Sequence, residues 1–253
     1  MKSFSRRLFL ALLLLAWARV APAQTADEVV DKYLAALGGR DALGKLQSRS
    51  MTGTITVSTP GGEVSGPVEI VAQAPNKSRT LIKLDLSALG VGQMTFDQRF
   101  NGTTGYVMDS LQGDRDIAGD QLEAMKNTIF PTPLLHYKEA GSTVELVGRE
   151  KVGDREAHVL VLKPKTGPVV RQFIDAESFL PIKIVVKIDT GQFGEVEQTT
   201  ELSDYRAVDG VKVPFAVKTS SAVQSSSVVL SKVEHNTTID ETLFSKPGPA
   251  KER

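Results

Sequence analysis

What most constrains this chain is an excess of one-sided strands. After the turn signal Asp209-Gly210, the residues Val211, Val213, Phe215 and Val217 alternate with Lys212, Pro214, Ala216 and Lys218. One face of that strand needs cover and the other tolerates water. The pattern recurs at Ile182, Ile184, Val186 and Ile188, and at Met94, Phe96 and Phe100. Runs of this type cover 51–59, 63–74, 80–86, 92–100 and 103–109, then 142–149, 155–163, 169–175, 180–189, 195–206, 211–220 and 226–234. Gly, Pro and Asn punctuate them, and Asn101-Gly102 is the strongest hairpin signal. About twelve antiparallel strands are predicted.

Helical cover for them is scarce. Thr25 and Glu28 fit a capping box, and Val29, Val30, Tyr33, Leu34 and Leu37 then fall on one helical stripe that ends at Gly38-Gly39. A short helical piece over about 41–46 adds Ala42, Leu43 and Leu46 to the same N-terminal arm. In the middle of the chain, Leu122, Met125 and Ile129 have helical spacing, and Pro131 and Pro133 end that helix. Leu134 and Leu135 follow as an exposed-looking apolar pair. So few covering elements leave two solutions: the sheet closes on itself as a sandwich or barrel, or it curls into a partly roofed trough. Pro214 cannot donate to a ladder and fits an edge or a bulge, which weighs against full closure.

Residues 1–23 read as an export signal, with a basic start, an apolar run over Leu8–Ala18 and Ala21-Pro22-Ala23 before Gln24. Ser5-Arg6-Arg7-Leu8-Phe9-Leu10 also resembles a twin-arginine signal, so the general secretory and twin-arginine routes both remain open. No later segment has the roughly 20 apolar residues of a membrane helix. The chain carries 30 basic and 30 acidic residues. Without Lys2, Arg6, Arg7 and Arg19 the balance is 26 against 30, a net charge of −4. That balance disfavours nucleic-acid binding. With no cysteine, disulfides, thiolate metal sites and a lipid anchor on a cleaved cysteine are excluded.

Motifs that carry chemistry are few. Asp114, Asp116 and Gly119 sit like part of a calcium loop, but the twelfth position is Met125 where a bidentate glutamate is required, so these acids are read instead as favouring the start of the central helix. His136, His158 and His235 lack metal-ligand spacing, and His158, within an apolar strand, is read as a satisfied core or boundary residue. Glu195 and Glu197 share a strand face that solvent exposure explains. No nucleophile elbow, phosphate loop or dinucleotide fingerprint is present. The expectation is a protein that is not an enzyme and has no cofactor or metal.

Four stretches, "VDKYLAALGGRDALGKLQSRSMTGTI", "QRFNGTTGYVMD", "RQFIDAESFLPIKIV" and "DYRAVDGVKVPF", resemble the outer-membrane lipoprotein-sorting (LolA-like) family along nearly all of the chain after the signal. Tyr106 stands where relatives commonly have tryptophan. The resemblance implies a mainly β fold with helices (α+β): a curved antiparallel open half-barrel of about 11–12 strands, covered by the N-terminal arm and a central lid helix. It implies one such domain over 24–246 with a disordered tail at 247–253, in the periplasm. Its expected ligands are the acyl chains of a lipid or lipoprotein. Leu122, Met125, Ile129, Leu134 and Leu135 are the lid candidates, with Met94, Phe96 and Phe100 as the cavity floor. The alternative is an envelope sensor or adapter that binds a protein segment in the trough or along a sheet edge.

Overall fold

The computed structural model describes residues 24–59, 62–189, 194–222 and 224–248. The predicted export signal and the last tail residues, 249–253, lie outside them. Three α-helices occur there, α1 (Ala26–Leu37), α2 (Arg40–Gly44) and α3 (Gly119–Asn127), with short 3-10 helices at Ser87–Leu89 and Glu241–Phe244. The first six strands are β1 (Ser48–Thr59), β2 (Gly62–Gln73), β3 (Lys77–Asp85), β4 (Gln93–Phe100), β5 (Gly105–Asp109) and β6 (Arg115–Ile117). After α3 come β7 (Thr143–Val152), β8 (Arg155–Lys163), β9 (Val170–Asp175), β10 (Pro181–Asp189), β11 (Glu195–Val208), β12 (Val211–Ser220) and β13 (Ser225–His235).

All described strands belong to one antiparallel sheet in the order β6-β5-β4-β3-β2-β1-β13-β12-β11-β10-β9-β8-β7. Its edges, β6 and β7, do not pair with each other, so the sheet is an open half-barrel with helices rather than a closed barrel. The twelve predicted strands are all present. The thirteenth is β6, whose residues Arg115–Ile117 the sequence pattern assigns to the lead-in of the helix. Three residues are too few to display a two-residue period.

The N-terminal arm forms as its sequence dictates. Thr25 accepts from the Glu28 amide while Glu28 accepts from the Thr25 amide, and Val29, Val30, Tyr33, Leu34 and Leu37 are all buried. The helix ends at Gly38, whose φ is +134°; a Cβ there would meet the Gly210 carbonyl oxygen at 2.5 Å. That close approach seats the arm directly on the β11–β12 turn. Val211, the first residue of the alternating run, is thereby covered by the arm. Val213 and Phe215 are covered differently, in a cluster with Leu230 and Val233, and the Arg206 guanidinium lies 4.4 Å over the Phe215 ring.

Two details revise the sequence pattern. A register shift between Pro181 and Lys183 breaks the alternation in β10. Ile182 therefore packs with Val159, Phe173 and Val185 on one face, while Ile184, Val186 and Ile188 line a cavity on the other. Leu134 and Leu135, expected as exposed, are buried against α1 in the main core cluster. The two prolines before them turn the chain back under the arm, a tertiary effect that no local pattern encodes.

Proline placement follows ladder length. Pro214 lies in an interior strand, but β12 pairs with β13 only over Ala216–Ser220, so beside Pro214 the only partner strand is β11. Away from the helices, Asp97 is 2% exposed and accepts from Arg79 at 2.9 and 2.7 Å and from Arg99 at 2.8 Å. Burial raises the Asp97 pKa, but these two guanidiniums outweigh it and hold the carboxyl below its usual value.

Candidate functional site

The face of the sheet that carries the helices holds two apolar cavities that meet at Gln198. Cross-strand register places both on one face: Thr200 opposes Thr219, Val217 opposes Val228, and Val228 opposes Ile55. The first cavity, about 480 Å³, is walled by side chains of β8–β11, including Leu162, Val170, Ile184 and Val186, and is closed at one end by Tyr33, Leu37 and Leu43 of the arm. The second, about 510 Å³, is walled by Ile55, Val57, Ile82, Leu84, Met94 and Phe96, with Thr219, Gln224 and Ser226 at its polar side.

Helix α3 is strung between the two wings of the sheet. On one side, Asn76 Nδ2 in the β2–β3 turn donates to the Lys126 carbonyl at 3.2 Å, and Gln98 Nε2 of β4 donates to Met125 Sδ at 3.7 Å. On the other, Asn127 Nδ2 donates to the Thr166 carbonyl at 2.7 Å and Thr166 Oγ1 donates to Glu123 Oε2 at 2.8 Å, both in the β8–β9 loop. Gly167 beside them has φ +84°, and a Cβ would meet Glu123 Cβ at 2.8 Å. The helix buries no residue fully and has no side-chain N-cap. Polar contacts to the β2–β3 turn, β4 and the β8–β9 loop, together with half-buried side chains laid against β10, hold it in place.

A polar cluster closes the arm end of the first cavity. Arg49 Nε donates to His235 Nε2 at 3.0 Å, and its guanidinium stacks on Phe130 at 5.3 Å. Tyr33 and Thr132 share a hydrogen bond of 2.7 Å beside it. His235 therefore carries its proton on Nδ1, which sits 3.3 Å from Asp209 Oδ2 without hydrogen-bond alignment. Burial, with Arg49 second, holds the His235 pKa below its ordinary value, so the ring is neutral at pH 7. Burial lowers the Arg49 pKa to about 10 and raises that of Tyr33 to about 12, leaving the first charged and the second neutral at pH 7.

Of the predicted site residues, Met94 and Phe96 line the second cavity, while Phe100 on the same strand is fully buried. Leu122 and Met125 are half-buried on α3, and Ile129 is half-buried just after it. The residues of this segment that line the first cavity are Ala124, Asn127 and Thr128, with Pro131, Thr132 and Pro133. Leu134 and Leu135 sit in the core beneath the arm. Sequence reasoning passed over Ile184 and Val186 as site residues although it had marked their face as needing cover. It also missed Arg49, which shares its parity in β1 with Met51, Gly53 and Ile55 and so stands on the apolar face.

The remaining candidates serve other ends. Asp114 accepts from the Tyr106 hydroxyl and the Asp109 amide, and Asp116 pairs with Lys246, so neither acid serves the start of α3 as expected. Glu195 pairs with Lys187 at the exposed surface. His158 is buried and stacked on Phe179 at 5.6 Å, but its Nε2 has no partner among the described residues, so it is not the satisfied core histidine expected.

Comparison with known proteins points one way. A family model described as an uncharacterized protein matches residues 136–247. No curated protein matches the chain. Among solved structures, an outer membrane lipoprotein-sorting protein domain from Vibrio parahaemolyticus is 11% identical, with a TM-score of 0.56, covering 86% of this chain and 94% of that one. A DUF1329 family protein from Desulfovibrio piger is 13% identical, with a TM-score of 0.57 and coverage of 87% and 97%. A LolA superfamily protein from Nitrosomonas europaea is 14% identical, with a TM-score of 0.55 and coverage of 88% and 99%. The open sheet, the helices across one face and these three likenesses agree: this chain has the LolA-like fold.

Proposed function

We propose that the protein is an exported, periplasmic carrier that shelters the acyl chains of a lipid or lipoprotein, and that it does so without catalysis. The observation that supports this is the apolar space left unfilled along the inner face of the half-barrel, about 480 and 510 Å³ in two cavities that share Gln198 as a lining residue. Each methylene removed from water gains about 0.8 kcal/mol, so one long chain gains on the order of 10 kcal/mol and needs continuous shelter in transit. The walls supply that shelter through Ile184, Val186, Ile82 and Phe96, and α3 acts as the roof that opens for loading. The LolA-like fold and the likeness to the Vibrio parahaemolyticus lipoprotein-sorting domain favour the same reading.

The test is lipid capture by the delipidated protein, followed by native mass spectrometry and by displacement of a fluorescent acyl probe. Ile184→Asp and Phe96→Asp each place a charge in an apolar wall, and capture should fall at least tenfold with the β circular-dichroism spectrum unchanged. A protein that captures no phospholipid, fatty acid or acylated peptide would sink the proposal. Binding of an unacylated peptide by the lipid-free protein would favour the adapter reading instead.

A further inference from the structure

The first cavity has charge of one sign only. Its lining includes Arg49 and Lys212 and no aspartate or glutamate. Buried and half-buried guanidiniums elsewhere in the molecule are matched with acids: Arg79 and Arg99 share Asp97. Arg49 is the exception. The only hydrogen bond its guanidinium makes among the described residues is from Nε to the neutral His235 ring, and its stacking partner is Phe130. The nearest acid in the cluster, Asp209, contacts His235 on the far side of the ring. The contact with the Phe130 ring uses none of the N–H donors, so both Nη groups have no acceptor among the described residues and can donate to a ligand.

An unpaired cation beside an apolar cavity is costly unless something offsets it. We infer that the first cavity is built for an anionic amphiphile whose carboxylate or phosphate docks on the Arg49 guanidinium while its acyl chain runs along Ile184 and Val186. The planar fork of arginine matches both anions bidentately. Tyr33 and Thr132, bonded to each other beside Arg49, have one hydroxyl proton left to donate to the same anion. Lys212, exposed at the cavity rim, adds a second positive charge along the entry path. This inference rests on the acyl-carrier reading and adds to it the chemistry of the head group.

The experiment compares oleate, phosphatidylglycerol, oleyl alcohol and inorganic phosphate as competitors for a bound acyl probe. Wild-type protein should bind oleate and phosphatidylglycerol at least tenfold more tightly than oleyl alcohol, the scale of a charge-assisted hydrogen-bond pair. Within the Arg49→Gln protein, oleate and phosphatidylglycerol should bind no more tightly than oleyl alcohol, whereas Arg49→Lys should keep part of the preference. A tighter oleate than phosphatidylglycerol assigns a free carboxylate, and the reverse order assigns a phosphate head group. Equal binding of oleate and oleyl alcohol by the wild type overturns the head-group inference while the carrier reading stands. Displacement by inorganic phosphate alone, at concentrations matching the lipids, overturns it as well, because it shows an anion site that does not need the chain. Failure of all four compounds to bind overturns both. The wild-type comparison needs no variant, so a misfolded Arg49→Gln protein does not blunt the test.

Discussion

Replacing Gly167 with alanine tests whether α3 is a removable roof. At φ +84° an L side chain costs about 1–2 kcal/mol. The new Cβ would also stand 2.8 Å from Glu123 Cβ and 3.0 Å from Asn127 Nδ2. The helix has no fully buried residue to resist displacement, so relief comes by moving α3 off the loop. That motion breaks the Asn127–Thr166 and Thr166–Glu123 hydrogen bonds, each worth about 1 kcal/mol. Those bonds are lost on opening in the wild type as well, so only the strain and the new contact relieved when the loop is freed weigh against the closed state: roughly 2 kcal/mol, or about thirtyfold in the ratio of closed to open. The main core, with Leu34, Leu134 and Leu160, lies elsewhere and is not touched. Hydrogen exchange read by mass spectrometry should show the amides of 119–127 exchanging much faster while the global melting temperature holds, and a bound acyl probe should dissociate faster. Wild-type exchange across α3 would refute the reasoning, as would a melting temperature that falls in step with it, since the helix would then belong to the core.

Other substitutions separate core from roof. Leu134→Ala should cost about 2–5 kcal/mol by denaturant unfolding, as expected for a fully buried leucine, while Leu122→Ala on the half-buried helix should cost under about 1 kcal/mol. Asp97→Ala removes the shared acceptor of Arg79 and Arg99 and should destabilise by about 3–5 kcal/mol. Because the folded pKa of Asp97 is lowered, its contribution is complete above about pH 4 and is lost as pH falls through the folded value; a urea midpoint series below pH 4 should be flatter in Asp97→Asn. His158 and His235 both have lowered folded values, His158 through burial and then Arg149 and Lys32. Stability should therefore drop as pH falls below about 6.5, and His158→Phe should shrink that drop.

Much of the scaffold is readable in the sequence because it is written in local periods. The capping box at Thr25 and the stripe from Val29 to Leu37 specify α1 by themselves, and Asn101 anchors its turn by accepting from the Thr103 and Thr104 amides. Legibility fails where a single residue changes phase. The shift beside Ile182 sends it to the face opposite Ile184, although all four alternating residues of β10 look alike on paper. The site was half legible for a related reason. Alternation points to Met94 and Phe96, which line the second cavity, but Ala124 and Asn127 of α3 and Thr128 at its end line the first, and polar or small residues carry no apolar signal. Arg49 was hidden because a charge at the start of a strand reads as solvent-facing until its parity with Met51 and Ile55 is noticed.

The meeting of β1 with β13 has a consequence for how the chain assembles. β1 through β6 and β7 through β13 are two ribbons of neighbouring hairpins, each able to zip locally, and among the described residues the only strand ladder between them joins the first strand to the last. Arg49 bonds His235 across 186 positions of sequence. Closing so distant a contact is entropically slow, so this junction should set the pace of refolding. A chain that stops short of Ser225 would keep both ribbons with only the arm and α3 between them, and the continuous inner wall would not exist until the final strand is made.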